Sequence, residues 1–274
     1  MTAEERLGLI RVKVERAKKH ISDLEVEIQA FRDSQPYTIE IKPNPKTGEN
    51  VHYISSIREI PSVIAVTTGD ILYNLRAALD HLAYQLAWIK GTRDKGILGR
   101  TYFPIFDSAT KYKTGKSGKV EGLSQAAIDA IDATEPYKAG NDTLWQLHRL
   151  NIIDKHRIIL AVANILEGIG YDTRVRRQMI KGIYESSGHT ISEDEIKRAS
   201  RSMLVKPFLH PPLKAGDILT RDPFKREADD DVYFVIEVTL DEAEIIGRKP
   251  LLPALIEMLD CVDSLITNFK LLLR

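Results

Sequence analysis

Side chains able to move protons or hold an oxyanion near neutral pH crowd together at two places in the chain. One is Tyr73-Asn74-Leu-Arg76-Ala-Ala-Leu-Asp80-His81; the other is His148-Arg149-Leu-Asn-Ile-Ile-Asp154-Lys155-His156. Imidazole titrates close to neutrality and serves as acid or base, while guanidinium keeps its charge and fits an oxyanion. Arg76 and Asp80 stand four residues apart, close enough on a helix to pair. Asp154 and His156 stand two apart, on different sides of a helix, and form no local pair. His81, His148 and His156 would surround a metal if their helices were neighbours, and a metal hydrolase using His148 and His156 is one reading, although neither of these two segments holds an H-x-x-x-H or E-x-x-H ligand pair. In another, the protein is a non-catalytic binding or scaffolding protein, Arg76 salt-bridges Asp80, and His81 is buried.

The elements that must position these groups are amphipathic helices. From Pro61 to Ile89 the only charges are Asp70, Arg76 and Asp80, where the chain average of 28% would give about eight, and neither Lys nor Glu occurs. At 100° per residue the leucines and isoleucines share one arc, and Asp70, Tyr73, Asn74, His81, Tyr84 and Trp88 share the opposite one. A solvated face would be rich in Lys and Glu, so this stripe predicts cover by another part of the fold, a second subunit or a ligand. Trp145, His148, Arg149, Ile152 and His156 likewise fall on one face of a helix.

Leu7, Ile10, Val14, Ala17, Ile21, Leu24, Ile28 and Phe31 alternate three- and four-residue steps, as do Leu252, Leu255, Leu259, Val262, Ile266, Phe269 and Leu273. The expected fold is mainly α, of α+β type: a four-helix-bundle core of residues 4–33, 62–90, 141–166 and 250–274 in a single domain, 1–274. Gly69 predicts a break or bend in the second helix. Asn141-Asp142 caps the third, and the glycines at 168 and 170 stop it. Residues 37–60 read as a β-hairpin turning through Asn44–Asn50, and 171–249 as a mixed insertion whose strands from 203–240 join the hairpin in one small antiparallel sheet. In that insertion Ser192 and Glu195 form a capping box. Residues 91–122 read as an irregular crossing, and Thr114–Lys119 as a mobile basic loop; it looks like a phosphate loop but has Thr110 where that pattern needs glycine.

Arg76-x4-His81 and Arg149-x6-His156 resemble the R-x4–6-H signature of the HEPN superfamily. The chain also resembles a group of bacterial proteins of unassigned activity that share Asn74-Leu-Arg-x-Ala-Leu-Asp-His81 and Leu150-Asn-x-Ile-Asp-Lys-His-Arg157 elements. The first resemblance implies a helical, dimeric, metal-independent endoribonuclease, acting on single-stranded RNA without cofactor or metal, in a toxin or defence role. His81 would be acid or base and Arg76 would stabilise the phosphorane charge. Asn74 and Tyr73 would orient the histidine or the phosphate, with Asp80 in support and Arg149, His148 and His156 as a second motif.

Composition narrows the partners. Lys plus Arg and Asp plus Glu each number 39, leaving no net charge to draw the chain to DNA or anionic lipid, so a polyanion must be met by a local patch. The single cysteine, Cys261, excludes an intrachain disulfide and a thiolate zinc cluster. With no apolar leader core and no membrane-length apolar run, a cytoplasmic protein without membrane contact is expected.

Overall fold

All eight residues of the first apolar seam, Leu7 to Phe31, are buried, as a helix with one face against a core requires. They lie on helix α1 (Ala3–Asp33), which is followed by strands β1 (Tyr37–Pro43) and β2 (Asn50–Ile57) and the long helix α2 (Ser62–Ile89). Four short helices come next: α3 (Lys95–Arg100), α4 (Ala109–Gly115), α5 (Ser117–Val120) and α6 (Gln125–Asp132). Then come helix α7 (Asp142–His156), strand β3 (Val162–Asp172), helices α8 (Arg174–Ser186) and α9 (Glu193–Ser202), and strands β4 (Leu204–Val205), β5 (Ile218–Asp222) and β6 (Asp231–Leu240). Helices α10 (Ala243–Ile246) and α11 (Leu251–Asn268) close the chain with a 3-10 turn at Phe269–Leu273. This computed structural model describes residues 2–156, 162–202, 204–205, 212–222, 231–247 and 249–274. The architecture is mainly helical α+β, with two three-stranded antiparallel sheets among the described residues.

The chain divides into two compact units. The first comprises residues 1–30, 61–161 and 242–274. In it α2 packs against both α7 and α11, and these two pack against each other. Arg6 of α1 donates to Gln85 of α2 at 2.9 Å, and Arg11 and Lys18 of α1 reach Thr267 and Asp263 of α11 at 2.8 and 3.2 Å. Gly91, with φ of +97°, follows the last turn of α2 in a conformation that favours glycine. Helix α2 is continuous through Gly69 rather than broken there. Its glycine answers a packing need: a Cβ at residue 69 would stand 2.6 Å from Asp154 Oδ1 of α7.

The second unit comprises residues 31–60 and 162–241. Its strands form two sheets, ordered β1-β2-β5 and β4-β3-β6, in place of the single sheet expected. The hairpin does take a strand from the later segment, since Asn50 pairs with Asp222 and His52 with Thr220. Ile54, Leu166, Ile169, Leu213, Leu219 and Ile236 form the core these strands share. Tyr37 donates to Asn164 Oδ1 at 2.8 Å, and the Tyr171 and Thr220 hydroxyls meet at 2.8 Å.

The largest correction concerns residues 141–166. Helix α7 ends at His156, and residues 162–172 form β3, the central strand of its sheet. A continuous apolar run reads equally as a buried helix or as a strand covered on both faces. The glycines at 168 and 170 are therefore not a helix stop. They lie within the strand, where Leu204 and the Tyr233 ring cross so closely that a Cβ at 170 would fall 1.9 Å from Tyr233 Cζ. Residues 91–122, expected to be irregular, carry α3, α4 and α5. Of the strands expected within 203–240, the first is described only as β4, and Met203 and residues 206–211 lie outside the described residues. The capping box is present: Ser192 N donates to Glu195 Oε2 at 2.9 Å and Glu195 N to Ser192 Oγ at 3.3 Å.

Candidate functional site

Helix α2 carries Arg76 on its buried side, 5% exposed, where its guanidinium meets three acceptors from three places. Nη1 donates to Asp80 Oδ1 at 2.5 Å, one turn along the same helix. Nη2 donates to the Phe103 carbonyl at 2.8 Å, and Nε donates to His148 Nδ1 of α7 at 3.3 Å. The Phe103 N–H in turn donates to Asp80 Oδ1 at 3.1 Å, so carboxylate and guanidinium together clamp the segment before α4 against α2. Phe103 itself is fully buried, which anchors that segment by its apolar ring.

His148 is held neutral. Its pKa falls from 6.5 to about 3 through burial first, then the charges of Arg76, Lys119 and Arg149, with Asp107 opposing. Because Nδ1 accepts from Arg76, the ring proton sits on Nε2, and the imidazole is a donor rather than an acid or base. Lys119 of α5 lies half-buried beside this group, its ammonium 4.9 Å from the Phe106 ring centroid. Burial, and then the charge of Arg76, lower its pKa, while Asp80 raises it. Asp107 accepts from Trp145 Nε1 at 3.2 Å and from Lys111 at 3.1 Å, and these bonds keep its carboxyl below the usual range. Lys138 stands over the Trp145 ring at 4.5 Å.

The remaining candidates are dispersed. His81 is exposed, about 140° around α2 from Arg76 at 100° per residue. It lines an open groove of about 550 Å³ together with Asp80, Tyr84, Leu98 and Tyr102. The binding-protein reading thus had the Arg76–Asp80 pair right and the burial of His81 wrong. Asn74, expected on the stripe with Tyr73, is turned inward, 7% exposed, and its Nδ2 donates to the Asp70 carbonyl at 2.7 Å. Tyr73 is 48% exposed, with Lys13 and Lys155 at 5.4 and 5.6 Å from its ring. Arg149 is half-buried and His156 exposed, so α7 does not bring them to the Arg76 cluster as a second pair. Among the described residues no three His, Cys, Asp or Glu side chains converge as a metal-ligand set. Histidines 148 and 156 therefore have no third ligand of those types there.

The groups that spacing did not single out are Lys119, Asp107 and the Phe103 carbonyl. Lys119 closes the basic stretch that resembles a phosphate loop, and the signal for its placement is the apolar Phe103–Ile105 run beside it, which is buried and draws the next segment inward. No protein-family model, curated protein or solved structure matches this chain. Among the described residues no helix is long and apolar enough to cross a membrane.

Proposed function

We propose that the protein is a non-catalytic binding and assembly module in which Arg76 is a structural tie and the outer face of α2 joins two copies of the chain. The Arg76 environment carries the reading. A metal-free RNA cleavage site needs a guanidinium open to the phosphorane and imidazoles that gain and lose protons beside it. Arg76 is 5% exposed and engaged by Asp80, Phe103 and His148, and His81 faces outward on another side of the helix.

The choice of a second copy as occupant rests on the symmetry of the outer stripe. Val63, Val66, Asp70, Tyr73, Ala77, His81, Tyr84 and Trp88 lie within about 40° of one line along α2. Val63, Val66, Tyr73 and Tyr84 are 44%, 51%, 48% and 38% exposed. Counted outward from Ala77, the positions match in both directions. Two such helices crossing antiparallel at Ala77 set Tyr73 opposite His81, Asp70 opposite Tyr84 and Val66 opposite Trp88, as an isologous twofold contact requires. The small Ala77 permits close approach at the axis. Each Asp70 carboxylate then has a phenol to accept from, and each apolar group an apolar partner.

Sedimentation at tens of micromolar tests this: a dimer for the wild-type chain, and a monomer of unchanged melting temperature for Ala77→Arg. A wild-type monomer overturns the assembly. Cutting of single-stranded RNA in EDTA, abolished by His81→Ala and by Arg76→Lys in folded protein, restores the nuclease reading.

A further inference from the structure

We propose that the groove of about 550 Å³ on α2 binds a small organic cation, an ammonium or amidinium group carried on an apolar or aromatic body. Three elements of the first unit wall the groove and so bring its residues together: α2 through Asp80 and Tyr84, α1 through Leu9, and α3 with the residues after it through Leu98 and Tyr102. The charge on this lining is negative. Asp80 is its one formally charged side chain, and no Lys or Arg lines the groove among the described residues. Asp80 Oδ1 holds Arg76 and the Phe103 N–H, while Oδ2 accepts from no described residue, and the side chain is 29% exposed. Arg76 has its guanidinium turned to Asp80, Phe103 and His148 and does not reach the groove.

A carboxylate oxygen beside exposed tyrosine rings suits a cation, because the face of such a ring attracts positive charge. Tyr84 and Tyr102 are 38% and 45% exposed. Both rings are held before any ligand arrives: the Tyr102 hydroxyl donates to the Gly99 carbonyl at 3.0 Å, and Tyr84 stacks on Trp88 with centroids 6.2 Å apart and planes 18° from parallel. Binding there gives up little side-chain freedom. Leu9 and Leu98 offer apolar surface to the body of the ligand, and the volume lies in the range of small-molecule sites. Gly99 leaves the space open, since a Cβ at that position would meet nothing within 4 Å. An anion would face Asp80 with no cation on the lining to offset it. His81 and Tyr84 line the groove and also belong to the outer stripe, so a bound amine competes with a second copy for them. That competition rests on the assembly reading, and the binding itself does not.

The experiment is calorimetric titration of the full chain, at ionic strength about 0.15 M, with benzamidine, benzamide and benzoate, repeated on Gly99→Leu, together with sedimentation of the chain with and without benzamidine. The three probes share a flat ring and differ in charge. Saturable binding of benzamidine, about tenfold or more tighter than that of benzamide, with no binding of benzoate and about tenfold or greater weakening in folded Gly99→Leu, is the expected result. In folded Asp80→Asn the preference for benzamidine over benzamide should disappear. Bound amine should shift the dimer towards monomer. The proposal is overturned if benzamidine does not bind saturably, if benzamide or benzoate binds as well, or if Gly99→Leu binds as the wild type does. A chain that is monomeric throughout yet binds benzamidine keeps this site and removes the assembly; a dimer that binds no benzamidine does the reverse, and a dimer unchanged by bound benzamidine removes the competition.

Discussion

Arg76 and Arg149 each head an arginine–histidine spacing on a long helix, and their surroundings are opposite. Arg76 sits under the segment that carries Phe103, with an acceptor on each side of its guanidinium. Arg149 stands half-buried, its charge felt at His148 and Asp107 but bonded to neither. The difference comes from what other segments bring. A carbonyl 27 residues along the chain completes the Arg76 tie, and no comparable acceptor reaches Arg149 among the described residues. Spacing within a helix thus selects which side chains can be neighbours, and partners distant in sequence decide whether a guanidinium is structural or available.

Breaking the Arg76 tie should have the largest effect. Arg76→Ala leaves Asp80 and the Phe103 carbonyl without their cation, and denaturant unfolding should show a loss of about 3–5 kcal/mol. Asp80→Asn keeps an acceptor but removes the charge, and should cost about 1–3 kcal/mol. A third test uses pH. Between its ordinary pKa of 6.5 and its folded value of about 3, His148 takes up a proton in the unfolded chain and not in the folded one. Stability should therefore fall as pH drops through that window, by at most about 1.4 kcal/mol per pH unit. His148→Gln should flatten this dependence, measured as melting temperature against pH; an unchanged slope would place the titrating group elsewhere. At the small end, Arg149→Gln and His81→Ala should each stay within about 0.5 kcal/mol of wild type, since neither side chain makes a bond to lose. A loss at Arg149 equal to that at Arg76 would erase the contrast.

What the sequence made legible was what a single helix or hairpin decides locally. The α1 seam, the 37–57 hairpin, the Asn141 and Ser192 caps and the α11 seam all follow from spacing, turn chemistry and capping side chains. The Arg76–Asp80 pair was legible for the same reason. Segment 162–172 was not, because its apolar run lacks a period and its glycines answer to Tyr233 and Leu204, residues far along the chain. Lys119 was hidden in the same way. Its surroundings are made by Arg76 and His148, and a basic stretch read alone looks solvated. The outer stripe of α2 was recognised by composition and expected to be covered, yet Val66 and Tyr73 stand about half exposed in the single chain.

The chain passes between its two units four times, at residues 30, 60, 161 and 241. During synthesis the β1–β2 hairpin emerges early, but the β2 edge that pairs with β5 stays open until residues 218–222 have been made. Helices α1, α2 and α7 likewise await α11. Neither unit is an uninterrupted stretch of chain, so no single contiguous fragment can reproduce one. Folding must close long loops before it gains their contacts, which slows it, and until β5 has been made the β2 edge has no strand to pair with on that side.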